Sequence, residues 1–169
     1  CAMPATGHAQ RRAAAAGGPK HEFGIDAVVA YSKPEGADGQ FGILTPVDIR
    51  VGFVTAKKMM WESHLGLAFT SGGVDAYDIS VGLNAVVQMG RGTHRAGPYW
   101  TAGAAINLVD DGTDSGAILS INGGIGKRSA YGSGAKRLTG FVSYSFENTG
   151  LFVPSILSFG ARIGLSLWH

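Results

Sequence analysis

The sequence is short of charge, of cysteine and of long apolar runs. Charged residues make up 15% of the 169 positions, against roughly 25% in an ordinary soluble domain. The single cysteine, Cys1, excludes an intramolecular disulfide and a cysteine metal cluster. No apolar run reaches the roughly 18 residues that a membrane-spanning helix needs, and a net charge of +2 gives no reason to expect a nucleic-acid partner.

The N-terminal part of the chain differs from the rest, because residues 1–20 are rich in alanine and show no regular pattern. Residues 1–9 end in Gly-His-Ala, which has the small-x-small form of a signal-peptidase site. We interpret residues 1–9 as a signal-peptide remnant and the following residues up to 20 as a flexible segment. The alternative is a lipidated Cys1 followed by a linker. Both interpretations imply export, and both leave residues 21–169 as the folded domain.

Apolar residues recur at every second position in about eight stretches after residue 20. In the stretch 77–89, an apolar side chain stands at every odd position, with Asp78, Ser80 and Asn84 between them. Because alternate side chains of a strand point to opposite faces, each stretch has one apolar face and one small or polar face. The pattern predicts strands at about 21–31, 46–55, 60–70, 77–89, 98–108, 116–126, 137–147 and 156–168.

The connections between the predicted strands are short and alternate in charge. An even number of strands joined by short turns is typical of an up-and-down meander, and strands near ten residues long suit a tilted crossing of a bilayer. The basic turns contain Lys57, Lys58, Arg91, His94, Arg95, Lys127, Arg128, Lys136 and Arg137. The other turns contain Lys33 but are mainly acidic, with Glu35, Asp38, Asp75, Asp110, Asp111, Asp114 and Glu147. The sequence therefore predicts an all-β, eight-stranded antiparallel transmembrane β-barrel whose two ends differ in charge.

Aromatic residues fall at the two ends of the predicted strands and are absent from the middle of the apolar faces. This placement is typical of the girdles that sit at lipid headgroup level. The girdle beside the basic turns is predicted to contain Phe23, Phe53, Trp61, Trp100 and Trp168. The opposite girdle is predicted to contain Tyr31, Phe69, Tyr77, Tyr144, Phe146 and Phe159.

Over about 21–169 the chain resembles the small eight-stranded outer-membrane barrels of bacteria, the OmpA/OmpX-like group. The likeness is most specific at residues 159–169, where apolar residues alternate towards the C-terminus. Members of that group end on an aromatic residue, whereas here His169 is last and Trp168 has the other parity. The resemblance implies an outer-membrane location, contact with outer-membrane lipid, recognition of the C-terminal strand by the barrel-assembly machinery, and no cofactor. It does not identify a surface partner.

A few charged or titratable side chains are predicted to point into the barrel, which has room only for its own side chains. They are Asp26, Arg50, Glu62, His64, Asp78 and Arg162. Buried charges need partners. A turn centred near Lys57 would place Arg50 opposite His64 and diagonal to Glu62, and barrel closure could bring Asp26 to Arg162. We interpret the set as a polar plug that fixes the register of the strands.

The leading functional hypothesis is a non-enzymatic outer-membrane barrel with a structural or surface-interaction role. A second hypothesis is a lipid-modifying enzyme on the same scaffold, an activity that some members of the group have. Glu62 and His64 share a face, as a base and its orienting carboxylate do. However, no His-Ser-Asn cluster is evident, so we predict no catalytic residue.

A third hypothesis is a soluble, secreted ligand-binding barrel with its apolar face inside. It would have to enclose Trp61, Leu83 and the other large apolar residues, which is too much volume for eight strands. The aspartate-rich turn at 110–115 offers oxygen ligands for a divalent cation. It lacks the spacing of an EF-hand, so no metal site is predicted.

Overall fold

The computed structural model describes residues 20–70, 76–110, 115–148 and 153–169, with only the backbone described at 43–46, 69–70 and 76–77. Its strands are β1 (His21–Pro34), β2 (Gln40–Ala56), β3 (Met59–Thr70), β4 (Ala76–Gln88), β5 (Gly97–Asp110), β6 (Ser115–Tyr131), β7 (Gly134–Ser145) and β8 (Ile156–Trp168). Among these residues, no helix is long and apolar enough to cross a membrane.

The strands form one closed barrel in chain order. Each strand pairs antiparallel with the next, and β8 closes the barrel on β1 in a continuous register from Glu22 opposite Trp168 to Pro34 opposite Ile156. The predicted all-β, eight-stranded antiparallel architecture is therefore confirmed. Closure creates the interior, because the inward faces of all eight strands then surround one lumen.

The apolar face of each strand points outwards. In β1, Phe23 and Ile25 are 46% and 51% exposed, whereas Glu22 and Asp26 are each 1% exposed. The same arrangement recurs in β4, where Leu83 is 51% exposed and its neighbour Asn84 is 1% exposed. The barrel thus has an apolar outside and a polar inside, the reverse of a soluble barrel with an apolar core.

Several strands extend beyond their predicted bounds. The structure begins β2 at Gln40, ends β6 at Tyr131 and begins β7 at Gly134. The tight turn between β6 and β7 contains Gly132, whose φ of 55° suits a residue without a Cβ atom.

The sequence predicts that Lys127, Arg128, Lys136 and Arg137 belong to the turn between β6 and β7. This prediction is wrong, because all four lie within the two strands. Lys127 and Lys136 are exposed on the outside of the strands, whereas Arg128 and Arg137 point into the lumen and are 1% and 2% exposed. The strand alternation simply continues through these charged positions, which interrupted the apolar pattern in the sequence.

The two ends of the barrel carry different charges in the residues that are described. Lys57, Lys58 and Arg91 are exposed at the barrel end where β1 begins and β8 finishes. Glu35 and Glu147 are exposed at the other end. The remaining acidic positions predicted there include Asp75, Asp111 and Asp114, which lie outside the described residues.

Candidate functional site

The most polar part of the molecule is a network of six charged side chains buried inside the barrel. It lies in the half nearest the basic turns and comprises Glu22, Asp26, Arg50, Glu62, Arg128 and Arg137. Each of the six side chains is at most 1% exposed. The three guanidinium groups face three carboxylates, so their formal charges balance.

Arg50 is the donor on one side of this network. Its Nε atom lies 3.0 Å from both carboxylate oxygens of Asp26. Its Nη1 atom donates to Glu22 Oε1 and lies 3.5 Å from Glu62 Oε2. One guanidinium therefore contacts all three carboxylates, which is the fixed, forked geometry that arginine offers and lysine does not.

Arg128 and Arg137 complete the network from the other side of the lumen. Arg128 Nη2 donates to Glu22 Oε2 at 2.8 Å and to Glu62 Oε2 at 3.2 Å. Arg137 Nη1 donates to Glu62 Oε2 at 2.6 Å. These bonds cross the barrel and join β1 and β3 to β6 and β7, strands that are not neighbours in the sheet. Removal of a single partner would leave an uncompensated buried charge.

A second, smaller group of charges lies next to the network. Arg162 Nη2 is 3.3 Å from Asp48 Oδ2, and His64 Nδ1 is 3.7 Å from Asp48 Oδ1. The sequence had predicted that Asp26 meets Arg162, and this is wrong. Asp26 lies opposite Gly164, and Arg162 is opposite Val28, so the two side chains point in from different levels of the β1–β8 pair. Asp26 binds Arg50 instead.

The predicted grouping of Arg50, Glu62 and His64 is met only in part. Arg50 does lie directly opposite His64 in the β2–β3 register, but their side chains go to different partners. Arg50 reaches past Gly52 to Glu62, and the imidazole of His64 turns to Asp48. Glu62 is held by arginines, so it does not orient His64 as a catalytic carboxylate would.

Four members of the two charged groups were missed in the sequence: Glu22, Asp48, Arg128 and Arg137. Glu22 and Asp48 share the parity of Asp26 and Arg50 in their strands, so alternation alone could have found them. Arg128 and Arg137 were assigned to a turn. Extending the alternation of Gly124 and Gly126 by one step would have placed Arg128 inside the barrel.

A cavity of about 310 Å³ occupies the other half of the lumen. Arg162, Asp48, His64 and Arg137 lie at its charged side, and Asp78 lines its wall. Hydroxyl and amide side chains form part of the remaining wall, from Ser32, Ser80, Asn84, Thr101, Asn107, Ser120, Asn122, Thr139, Ser143, Ser145 and Ser158. Apolar side chains form the rest, from Val28, Ala105, Val109, Ile118, Phe141 and Ile156. Within the described part of the chain, Asp48 Oδ1, His64 Nε2 and Asp78 Oδ1 have no hydrogen-bond partner. The cavity therefore presents both polar and apolar surface to whatever occupies it.

An apolar layer covers the network on the side of the basic turns. Its buried members are Met60, Val86, Tyr99, Ala135 and Trp168. The guanidinium carbon of Arg128 lies 4.7 Å from the centroid of the Tyr99 ring and 5.7 Å from that of Trp168. Arg128 therefore makes cation–π contacts with both rings.

The turn between β4 and β5 lies across this end of the barrel. His94 Nε2 is 3.0 Å from the carbonyl oxygen of Ala56, and Arg95 donates to the carbonyl oxygens of Gly132 and Gly134. The turn thus bonds to the β2–β3 turn on one side and to the β6–β7 turn on the other. His94 also packs on Trp168 with ring centroids 6.5 Å apart.

Most of the predicted girdle residues whose side chains are described face outwards. Phe23, Phe53, Trp61 and Trp100 are 40–46% exposed near the basic turns. Tyr144, Phe146 and Phe159 are 38–51% exposed at the opposite end, where Tyr31 packs on Phe159 with ring centroids 5.1 Å apart. The side chains of Phe69 and Tyr77 lie outside the described residues.

Trp168 is the exception, and its assignment to a girdle is wrong. It is 5% exposed and points into the lumen. It lies opposite Glu22 in the β1–β8 pair, so it shares the inward parity of Ser166 and Gly164, whereas Leu167 faces outwards. The direction of the Trp168 side chain is set by its odd or even position along the strand, and not by its nearness to the strand end.

No metal site is apparent in the described ranges 20–70, 76–110, 115–148 and 153–169, where no three His, Asp or Glu side chains cluster suitably. Positions 111–114 of the aspartate-rich turn fall outside these ranges. In chemical terms the interior offers buried ion pairs and a cavity with polar and apolar walls.

Comparison with known proteins identifies the fold but no family. No protein-family model matches the chain, and no curated protein matches it significantly. Among solved structures, the outer membrane protein OprG from Pseudomonas aeruginosa is similar, with a TM-score of 0.55 and 11% identity over 90% of this chain and 97% of that chain.

The attachment invasion locus protein Ail of Yersinia pestis, in complex with the heparin analogue sucrose octasulfate, is also similar. It has a TM-score of 0.50 and 10% identity, over 90% of this chain and 99% of that one. These neighbours are eight-stranded outer-membrane barrels. The predicted resemblance to small barrels of this kind is therefore confirmed at the level of the fold.

Proposed function

We propose that this protein is a non-enzymatic, transmembrane β-barrel of an outer membrane, with a structural or surface-interaction role and a lumen closed to solutes. The observation that carries the proposal is the direction of the side chains. Large apolar residues such as Leu83, Ile106 and Leu119 are each 51% exposed on the outside, while charges are buried inside. Only a surrounding lipid phase makes this arrangement favourable.

Two stacked barriers at the end of the barrel near the basic turns support the proposal of a closed lumen. The first is the charge-balanced network, in which Arg128 and Arg137 bridge the lumen to carboxylates on non-adjacent strands, while Arg50 binds carboxylates on the two neighbouring strands. The second is the apolar layer that contains Met60, Val86 and Trp168. A solute would have to break several buried ion pairs to pass, and such pairs are costly to separate.

The arrangement also argues against the two alternative functions. A soluble ligand-binding barrel needs an apolar interior, whereas Glu22, Asp26 and Arg50 are buried here. A lipid-modifying enzyme needs a reactive group presented to lipid, whereas Glu62 is held by arginines inside the lumen.

We place the acidic end outside the cell and the basic end in the periplasm, and we expect the alternating apolar residues of β8 to be read by the barrel-assembly machinery. Ail was solved with a heparin analogue, but the exposed Glu35 and Glu147 of this chain disfavour a polyanion at its acidic end. The acidic end suits a cationic surface partner better than an anionic one.

Refolding into lipid bilayers tests the proposal. We expect the chain to insert, to migrate faster on gels unless it is heated, and to give no steady conductance in a planar bilayer. A protease site placed after Gly36 should be cut on intact cells, and the same site placed after Lys57 should be cut only after the outer membrane is permeabilised. Failure to insert would reject the membrane barrel, a steady open conductance would reject the closed lumen, and the reverse cleavage pattern would reject the orientation.

A further inference from the structure

The outer surface of the barrel carries an apolar groove with a lysine beside it. The groove has a volume of about 720 Å³ and runs over β7, β8 and β1 near the basic turns. Its outward side chains include Phe23, Ile25, Ile163, Leu165, Leu167 and Lys136. The five large apolar members are 46–62% exposed, so the groove is open along the surface that we propose to face lipid.

Lys136 is the cation of this groove. It lies opposite Leu165 in the β7–β8 pair and opposite Ser129 in the β6–β7 pair. Its ammonium group is 5.0 Å from the centroid of the Tyr131 ring, which is 69% exposed beside the β6–β7 turn. A long aliphatic stem along apolar surface with its charge drawn towards the strand end is typical of a lysine at a membrane interface.

A second lysine strengthens the positive charge there. Lys127 is exposed on β6, two residues before the Ser129 that faces Lys136, so the two lysines are diagonal neighbours on the outer surface. Outward positions of β1, β7 and β8 in the described residues carry no Asp or Glu side chain. The nearby carboxylates Glu22 and Asp26 point inwards and are bound to arginines.

We propose that this groove is a binding site for an anionic glycerophospholipid of the periplasmic leaflet, a proposal that rests on the transmembrane function above. The phosphate group binds to the ammonium group of Lys136, with Lys127 adding positive charge nearby, and an acyl chain lies in the groove along Ile25, Ile163 and Leu165. Charge complementarity selects the occupant, because an apolar groove alone accepts any lipid chain, whereas paired lysines favour an anionic headgroup. A second copy of this chain fits less well, because a two-fold contact here would bring like charges together.

The experiment uses the full chain refolded into bilayer nanodiscs of phosphatidylcholine that contain about one tenth phosphatidylglycerol. Lipids that stay bound are identified by native mass spectrometry after release from the nanodisc. We expect phosphatidylglycerol to be enriched over its share of the bilayer. The variant K136Q should lower this enrichment about fivefold, which corresponds to about 1 kcal/mol for one lysine near a lipid surface.

Two further variants locate the effect. K57Q removes an exposed lysine of the β2–β3 turn at the same end of the barrel and should leave the enrichment unchanged. A27L adds volume to the groove, which Ala27 also lines, and should reduce the number of bound lipids of both kinds.

The outcomes separate this site from the proposed function. Failure of the unsubstituted chain to insert would overturn both proposals. Insertion without enrichment of phosphatidylglycerol would overturn the lipid site alone. An equal loss of enrichment in K57Q and K136Q would also overturn it, because the preference would then come from the general charge of this end. Enrichment that is lost in K136Q and kept in K57Q would support the site.

Discussion

Arg50 and Gly24 lie opposite each other on β2 and β1, and the guanidinium group occupies the space that a side chain at position 24 would need. A Cβ atom at Gly24 would lie 2.5 Å from the Arg50 Cζ atom. Gly24 is not among the glycines with positive φ, so the backbone does not require it. The ionic network requires it.

The first prediction follows from this contact. Gly24→Ala should lower the free energy of unfolding by about 1–3 kcal/mol, because it pushes Arg50 away from Glu22 and Asp26 in a packed interior. Gly140→Ala is a matched control, since Gly140 faces outwards and its Cβ atom would meet only a carbonyl oxygen at 3.9 Å. It should change stability by less than about 0.5 kcal/mol. Urea unfolding in lipid bilayers measures both, and equal losses would contradict the role of Gly24.

Glu62 gives a second prediction, because it accepts hydrogen bonds from Arg128 and Arg137 and lies 3.5 Å from Arg50 Nη1. Glu62→Gln should destabilise the barrel by about 3–5 kcal/mol, since it leaves buried cations under-paired. Combining it with Arg137→Met should recover part of the loss, because the pair is then removed instead of broken.

Exposed Glu147 provides the control for this series, and Glu147→Gln should have no measurable effect on unfolding. Mass spectrometry of lipid A from cells that express each variant separates structure from catalysis. A fully stable Glu62→Gln variant accompanied by altered lipid A would show that Glu62 acts in a reaction.

A third prediction concerns depth in the bilayer. Leu83 is 51% exposed within β4, and Met89 is 36% exposed just beyond its end. Leu83→Arg should cost about 2–4 kcal/mol of stability, and Met89→Arg should cost at most about 1 kcal/mol, because the cost of a charge on the lipid face falls towards the interface. Refolding equilibria in bilayers give both values. Similar costs at the two positions would contradict a lipid-facing surface.

Trp168 allows an optical test of its inward direction. In a chain with Trp61→Phe and Trp100→Phe, Trp168 is the remaining tryptophan, and its fluorescence should be insensitive to brominated lipid chains because the ring is buried beside Arg128. In the converse Trp168→Phe chain, Trp61 and Trp100 should be strongly quenched. Strong quenching of Trp168 would place its ring in the lipid phase.

The sequence predicted the strands and their faces well because a strand has a strict period of two. Arg50 and His64 could be placed opposite each other from the position of one turn, and the structure has them there. The same period of two continues in β6 and β7 beyond the positions where the apolar pattern ends. Arg128 and Arg137 resemble turn residues because charge usually marks a loop, whereas in this barrel charged residues also lie within the strands, on the inner face at Arg128 and Arg137 and on the outer face at Lys127 and Lys136.

Ion partners were harder to predict than strand register. Pairing rules relate only adjacent strands, whereas the bond from Arg128 to Glu22 joins β6 to β1 across the lumen. A long guanidinium side chain also reaches several levels of the barrel, so Arg50 passes the facing His64 and binds Asp26 and Glu22. The choice among nearby carboxylates depends on three-dimensional distances that alternation does not contain.

The network that crosses the lumen also bears on how fast the protein unfolds. The partners that it joins across the lumen are far apart in the chain, with Arg128 and Glu22 separated by 106 positions and Arg137 and Glu62 by 75. Such contacts form only once the sheet has curled and β8 has met β1, so they should be absent from the rate-limiting step of folding. Substitutions of Arg128 or Arg137 should then accelerate unfolding and leave the folding rate nearly unchanged, as the two arms of a chevron plot would show. The buried ion pairs would in that case determine how long the folded barrel persists.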